Sequence, residues 1–119
     1  MLKPPSLAFG GANTFAVGTT PVASTLVDLN GDGRLDLVVA NSASNSISVL
    51  LNTTPVGSST LTFAAQQTFA VGKGPFSVAV GDFNGDGKPD LAIANQGSDT
   101  VSVLVNTTAT GCDPADATT

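Results

Sequence analysis

The sequence predicts an all-β protein made of two copies of one four-stranded antiparallel unit. Three observations carry this expectation. The segment TFAVG at 14–18 recurs at 68–72, and Asp28 recurs as Asp82, both at a separation of 54 residues. Inside each copy the apolar residues alternate with a period of two in short β-branched runs. Clusters of Gly, Pro, Asn and Ser punctuate those runs, and no window is long and amphipathic enough for a helix.

The repeat register holds without a gap. LAF at 7–9 falls on LTF at 61–63, AN at 40–41 on AN at 94–95, and NTT at 52–54 on NTT at 106–108. Roughly half of the aligned positions are identical, as expected of tandem structural repeats. Residues 6–59 form one repeat and 60–110 the next. Residues 1–5 and 111–119 fall outside the period and are expected to be loose ends.

In chain order, 7–17 is the counterpart of 61–71, a less regular outer strand. Strands follow at 22–28, 36–41 and 46–52, and 61–71 completes this first unit. The runs at 76–83 (FSVAVGDF), 90–95 (DLAIAN) and 100–106 (TVSVLVN) make a second unit that lacks its outer strand. Turn clusters at 72–75 (GKGP), 84–89 (NGDGKP) and 95–99 (NQGSD) separate them.

A repeating four-stranded unit of this length matches a β-propeller blade. Propeller rings use roughly 4–8 blades, so two cannot close alone. The expectation is that 7–17 of one copy completes the second blade of another, an outer-strand exchange that closes a trimeric or tetrameric ring. Neighbouring blades of a longer chain would fill the same place.

Two loops concentrate the charge. DLNGDGRLD at 28–36 and DFNGDGKPD at 82–90 hold six of the nine acidic residues, all of them Asp. Oxygen-bearing side chains fall at loop positions 1, 3, 5 and 9, with Gly at 6 for the reversal and a backbone carbonyl at 7. The ligand set is therefore Asp28, Asn30, Asp32, the carbonyl of Arg34 and Asp36, then Asp82, Asn84, Asp86, the carbonyl of Lys88 and Asp90. Hard cations such as Ca²⁺ take six to eight oxygens in such loops. A helix-loop-helix calcium hand needs Glu at position 12, and Val39 and Ile93 stand there. A plain hairpin turn explains the Asn-Gly and Asp-Gly pairs. It does not explain Asp28 and Asp36 closing on one point, because clustered carboxylates repel. About one Ca²⁺ per repeat is expected, with a modest Kd of the order of 10⁻⁴–10⁻³ M.

The stretches PVASTLVDLNGDGRLDLVVANSASNSISVLLN at 21–52 and PFSVAVGDFNGDGKPDLAIANQGSDTVSVLVN at 75–106 resemble the FG-GAP/VCBS repeat, the blade type of integrin α-subunit propellers and many bacterial secreted proteins. The resemblance covers both repeats, and the D-x-N-x-D-G-x-x-D core is its specific part. It implies a propeller with calcium in the loop between the first and second strands of each blade, and a secreted, extracellular or cell-surface parent. Two blades here stand against the seven usual in integrins. The near-uniform repeats point to recent amplification or a consensus-like design.

Composition removes several function classes. Lys3, Arg34, Lys73 and Lys88 are the only cations and the net charge is −5, so no basic patch exists for nucleic acid. No apolar run is long enough for a membrane span. The opening MLKPPSLAFGG has no long apolar segment and does not read as a signal peptide. The single Cys112 cannot pair internally.

With no His, a nucleophilic Ser or Cys lacks the usual base, and paired carboxylates occur only inside the Asp loops, so no enzyme is expected. Lys73 is expected to be a solvated loop residue. Asn52-Thr53-Thr54 and Asn106-Thr107-Thr108 fit the N-glycosylation pattern, but their matching places suggest turn chemistry. The six Phe (9, 15, 63, 69, 76 and 83) are expected to pack between blades. The leading expectation is a calcium-stabilised structural and interaction module. Its alternative is a lectin- or adhesion-like domain binding carbohydrate or protein, which would need exposed aromatics or a polar pocket.

Overall fold

The computed structural model describes residues 3–108. Cys112, the expected loose end at 111–119 and the first two residues lie outside the described residues.

Among the described residues there is no helix, and the strands form two antiparallel sheets. The first sheet contains β1 (Pro21–Val27), β2 (Asp36–Asn41), β3 (Ser46–Leu50) and β4 (Gln67–Ala70), in that spatial order. The second contains β5 (Pro75–Gly81), β6 (Asp90–Asn95) and β7 (Thr100–Leu104). Consecutive pairing throughout is what short connections of tight-turn residues allow.

The two sheets obey one register. Val27 pairs with Asp36 as Gly81 pairs with Asp90, and Leu37 pairs with Leu50 as Leu91 pairs with Leu104. Both first strands carry an irregularity at their start, between Pro21 and Ala23 and between Pro75 and Ser77. Proline has no N–H to give a ladder, and a strand start is where that loss is tolerated.

The outer-strand expectations change most, while 46–52 and 100–106 each end two residues early. The run 61–71 yields regular pairing only over Gln67–Ala70, since β3 ends at Leu50. The rest is tied to the end of β3 by the isolated bridge Asn52–Phe63 and by Ala64 N–H donating to the Leu51 carbonyl at 2.9 Å. Residues 7–17, the counterpart run, form no strand within this chain.

The core lies where one sheet meets the other. Val38, Ile47 and Val49 of the first sheet pack with Leu91 and Ile93 of the second, and Val27, Leu29, Val71, Val78 and Leu104 lean on them. Cross-strand partners share a face. The face of the first sheet bearing Val38–Val49 and Ala40–Ile47 is therefore the one that the second sheet covers.

The expectation that the phenylalanines pack between blades is met only in part. Phe9, Phe69, Phe76 and Phe83 are exposed, and Phe15 and Phe63 meet edge-on at 4.9 Å near the surface. Phe69 shares the covered face with its partner Ile47, yet on the outer strand it stays exposed. Alternation tells which residues share a face, not whether anything covers it.

Candidate metal centre

Each Asp loop starts where the first strand of its sheet ends and closes where the second begins. Gly33 and Gly87 sit at φ 83°, a left-handed backbone that costs an L residue about 1–2 kcal/mol. The reversal they permit wraps the chain around the first aspartate. Asp28 Oδ1 accepts from Gly31 N–H (2.9 Å) and Asp32 N–H (3.2 Å), and its Oδ2 accepts from Gly33 N–H (2.8 Å). Asp82 accepts from Gly85, Asp86 and Gly87 at 2.9, 3.2 and 2.8 Å. The Gly87 N–H above all, helped by those of Gly85 and Asp86, holds the Asp82 carboxyl below the usual carboxylate range.

The ninth-position aspartates differ from the rest: Asp36 and Asp90 are fully buried. A buried carboxylate needs donors, and backbone supplies them. Asp36 accepts from Leu29 N–H (2.8 Å) and Asn52 N–H (2.8 Å), and Asp90 from Phe83 N–H (2.9 Å) and Asn106 N–H (2.7 Å). Each therefore pins its loop to the end of the third strand. The sequence marked these residues as ligands and gave no sign of the brace, apart from the matching position of NTT in both repeats.

The structure brings Asp82, Asp86 and Asp90 together, with one carboxylate oxygen of each within 4.8 Å of the others. A carboxylate has about four acceptor sites, and Asp90 uses two on backbone donors, so capacity remains for a cation. Asp86 Oδ1 accepts from Lys88 N–H (2.9 Å) and Asp32 Oδ1 from Arg34 N–H (2.9 Å), so position 7 enters both loops through its N–H. Asn84 is exposed beside this cluster.

The first loop does not close to the same separation. Its Asp32 Oδ2 lies 3.6 Å from Arg34 Nη1, a local ion pair with no counterpart among the described residues of the second loop. Asn30 nevertheless reaches inward. One terminal atom of its amide lies 3.0 Å from Asp32 Oδ1 and 3.1 Å from Asp28 Oδ1. As nitrogen that atom donates to both carboxylates and bridges them. The donor set is all oxygen in both loops, and it fits a hard divalent cation.

The end of the third strand supplies both expected and unexpected contacts. Asn52 Oδ1 and Asn106 Oδ1 accept from Thr54 and Thr108 N–H, both at 2.9 Å, which is the turn chemistry expected of NTT. Asn52 Nδ2 donates to the Leu35 carbonyl of its own sheet, whereas Asn106 Nδ2 crosses to the Leu29 carbonyl in the first loop, each at 2.9 Å. Lys73 is exposed, as expected. No helix of the described residues is long and apolar enough to cross a membrane.

Searches of curated proteins and of solved structures return no match. A family model described as the FG-GAP-like repeat matches residues 28–93, more than half of the 119-residue chain. That span runs from the first aspartate of one loop, through the whole of the second loop, to the middle of β6. With the shared register of the two sheets and their matching loops, this shows that the chain belongs to the FG-GAP-like repeat family.

Proposed function

We propose that this chain is a calcium-binding β-propeller repeat module with a structural and interaction role, not a catalyst. Its two sheets act as blades that join further repeats of their own kind, in other copies or in a longer chain. The observation that carries the reading is the convergence of the Asp82, Asp86 and Asp90 oxygens within 4.8 Å. Such a cluster is self-repelling without a cation, and its oxygen chemistry matches Ca²⁺ better than Mg²⁺, which prefers an octahedron with several waters.

Asp82, Asn84, Asp86 and Asp90 would hold the ion in the second loop, and Asp28, Asn30, Asp32 and Asp36 in the first. The carbonyls of Lys88 and Arg34 complete each set. In the first loop the Arg34 guanidinium competes with an ion for Asp32, so the second loop is expected to bind more tightly. A loop affinity of about 10⁻⁴–10⁻³ M suits extracellular modules, and we place the module outside the cell.

The ion acts through folding. Binding to the native state alone stabilises by about 2.7 kcal/mol per site at ~100 times Kd. That is large beside the ~5–15 kcal/mol total of an ordinary domain. Isothermal titration of calcium into the wild type and Asp86→Ala, with melting in calcium and in EGTA, tests the reading. The expected result is heat in the wild type, loss of the tighter site in the variant, and a lower melting temperature in EGTA. No heat, together with melting indifferent to EGTA, overturns it.

A further inference from the structure

The chain repeats a junction at both of its inter-sheet positions but fills only one. Between the sheets, 71–74 leaves β4 and enters β5 on a fixed path. Gln96 N–H donates to the Gly74 carbonyl (2.9 Å), Gly97 N–H to the Lys73 carbonyl (2.9 Å), and Lys73 N–H to Ser98 Oγ (3.2 Å). Residues 19–20 repeat that path ahead of β1. Ser42 N–H donates to the Thr20 carbonyl (2.8 Å), Ala43 N–H to the Thr19 carbonyl (3.2 Å), and Thr19 N–H to Ser44 Oγ (3.2 Å). Thr20 even adopts φ 56°, beside φ 61° for its counterpart Gly74. Left-handed backbone is a genuine outlier for a β-branched residue, and these contacts hold it there.

The receiving side is repeated too. In the filled junction Asn45, at φ 52°, accepts twice: its carbonyl from Val71 N–H and its Oδ1 from Gly74 N–H, both at 3.1 Å. The counterpart is Asp99, at φ 55° on an exposed turn. β3 then pairs with β4 through Ile47–Phe69 and Ser48–Thr68. Among the described residues, β7 has β6 on one side and no strand on the other. Its open face is apolar: Val101 is 65% and Val103 55% exposed, where the counterparts Ile47 and Val49 are 0% and 6%. What covers Ile47 and Val49 is a repeat of this same chain, and the segment shaped to continue from Asp99 is this chain's own 14–20.

That segment cannot serve its own β7. It is anchored by Thr19 and Thr20 to the β2–β3 turn, at the start of the first sheet, in the place 72–74 holds at the start of the second. By that equivalence it leads to a sheet preceding the first, whereas β5–β7 follows the first.

We propose that a second copy of this chain docks on the β5–β7 sheet, adding its Thr14–Val17 to the free edge of β7. In repeat register, Phe15 of the incoming copy lies opposite Val101 and Thr14 opposite Ser102. Asp99 accepts from the N–H groups of Val17 and Thr20. At the other end of the sheet, Asn52 of the incoming copy donates its second amide hydrogen to the Phe83 carbonyl, as Asn106 does to Leu29 inside the chain. The contact is heterologous, so repeated docking gives a ring if the rotation closes and a filament if it does not. With two blades per chain, three or four copies reach the ring sizes propellers use.

This inference rests on the self-assembling repeat reading and adds the docking geometry. The test is native mass spectrometry of the full chain in calcium, combined with cysteine trapping. In a Cys112→Ser background, Phe15→Cys with Val101→Cys is oxidised and the linked peptides are identified by mass. The expected result is an oligomer whose 15–101 bridge joins different chains. An oligomer with no such bridge overturns the geometry and leaves assembly standing. A clean monomer overturns both, and a 15–101 bridge within one chain overturns the second copy as occupant. Asp99→Ala, on an exposed turn, should weaken assembly about tenfold, the scale of one good hydrogen-bond position. Asp99→Asn, the residue found at 45, should restore it.

Discussion

The side-chain amide of Asn106 donates to the backbone carbonyl of Leu29, 2.9 Å away, and so ties the end of the second sheet to the Asp loop of the first. The partners lie 77 positions apart in the chain. Leu29 itself leans on the core that the sheets share, so loop position and sheet packing are set together.

Replacing Asn106 by Ala removes this tie and the turn that its Oδ1 makes with Thr108 N–H. Each lost bond is worth about 1 kcal/mol, so the expected loss is about 1–2 kcal/mol. Urea unfolding should show a lower midpoint with an unchanged slope, because the surface exposed on unfolding stays the same. Asn52→Ala should lower stability as well, but without loosening the sheets, since its Nδ2 bond to Leu35 stays within one sheet.

The aspartates of one loop should separate into two kinds. Asp90 is buried, and its loss orphans the N–H groups of Phe83 and Asn106. Asp90→Ala should therefore cost about 2–6 kcal/mol even in EGTA, at about 1–3 kcal/mol for each of the two orphaned N–H groups. Asp86 is exposed and holds only the Lys88 N–H from within the loop. Asp86→Ala should leave stability in EGTA within about 1 kcal/mol of the wild type and abolish the stabilisation by calcium at that loop. Thermal melts of both variants with and without calcium give the comparison.

These residues also show how far the sequence carries. The Asp loops were legible because turn chemistry is local: Asn-Gly and Asp-Gly specify the reversal, and the starts of β2 and β6 follow at Asp36 and Asp90. Strand order was legible for the same reason, since short turns force consecutive pairing. The burial of Asp36 and Asp90 was not, because their donors come partly from Asn52 and Asn106, sixteen residues on. Nor was the exposure of Phe69 and Phe83. A period of two assigns them to a face, and only the arrangement of whole sheets decides what lies opposite. The shortening of β4 to Gln67–Ala70 is likewise set by its partner, which ends at Leu50.

Gly72 is where packing leaves no room for a side chain. A Cβ there would lie 2.6 Å from Asn95 Nδ2 and 2.7 Å from its Cγ, and Asn95 is buried. That amide cannot swing away, since it donates to Ser102 Oγ at 2.8 Å and to Thr100 Oγ1 at 3.2 Å. Gly72→Ala should cost about 1–3 kcal/mol, the usual range for overpacking. Gly10→Ala, with open space around it, is the control and should be neutral within about 0.5 kcal/mol. Differential scanning calorimetry of the two variants distinguishes them.

Acid should destabilise the metal-free protein partly through Asp82. Its carboxyl is held below its ordinary value of 3.8, first by the Gly87 N–H and then by those of Gly85 and Asp86. The unfolded chain thus takes up the proton at a higher pH than the folded one. The stabilisation from these bonds is whole above the unfolded value and declines as pH falls through 3.8 towards the lower folded value. Urea titrations in EGTA between neutral pH and that acid range should show stability falling with pH, and Asp82→Asn should flatten the fall. With calcium present the decline should begin at higher pH and be steeper, since protons then compete with the ion for the same oxygens. A wild type and Asp82→Asn with superimposable acid limbs in EGTA would remove Asp82 as the cause.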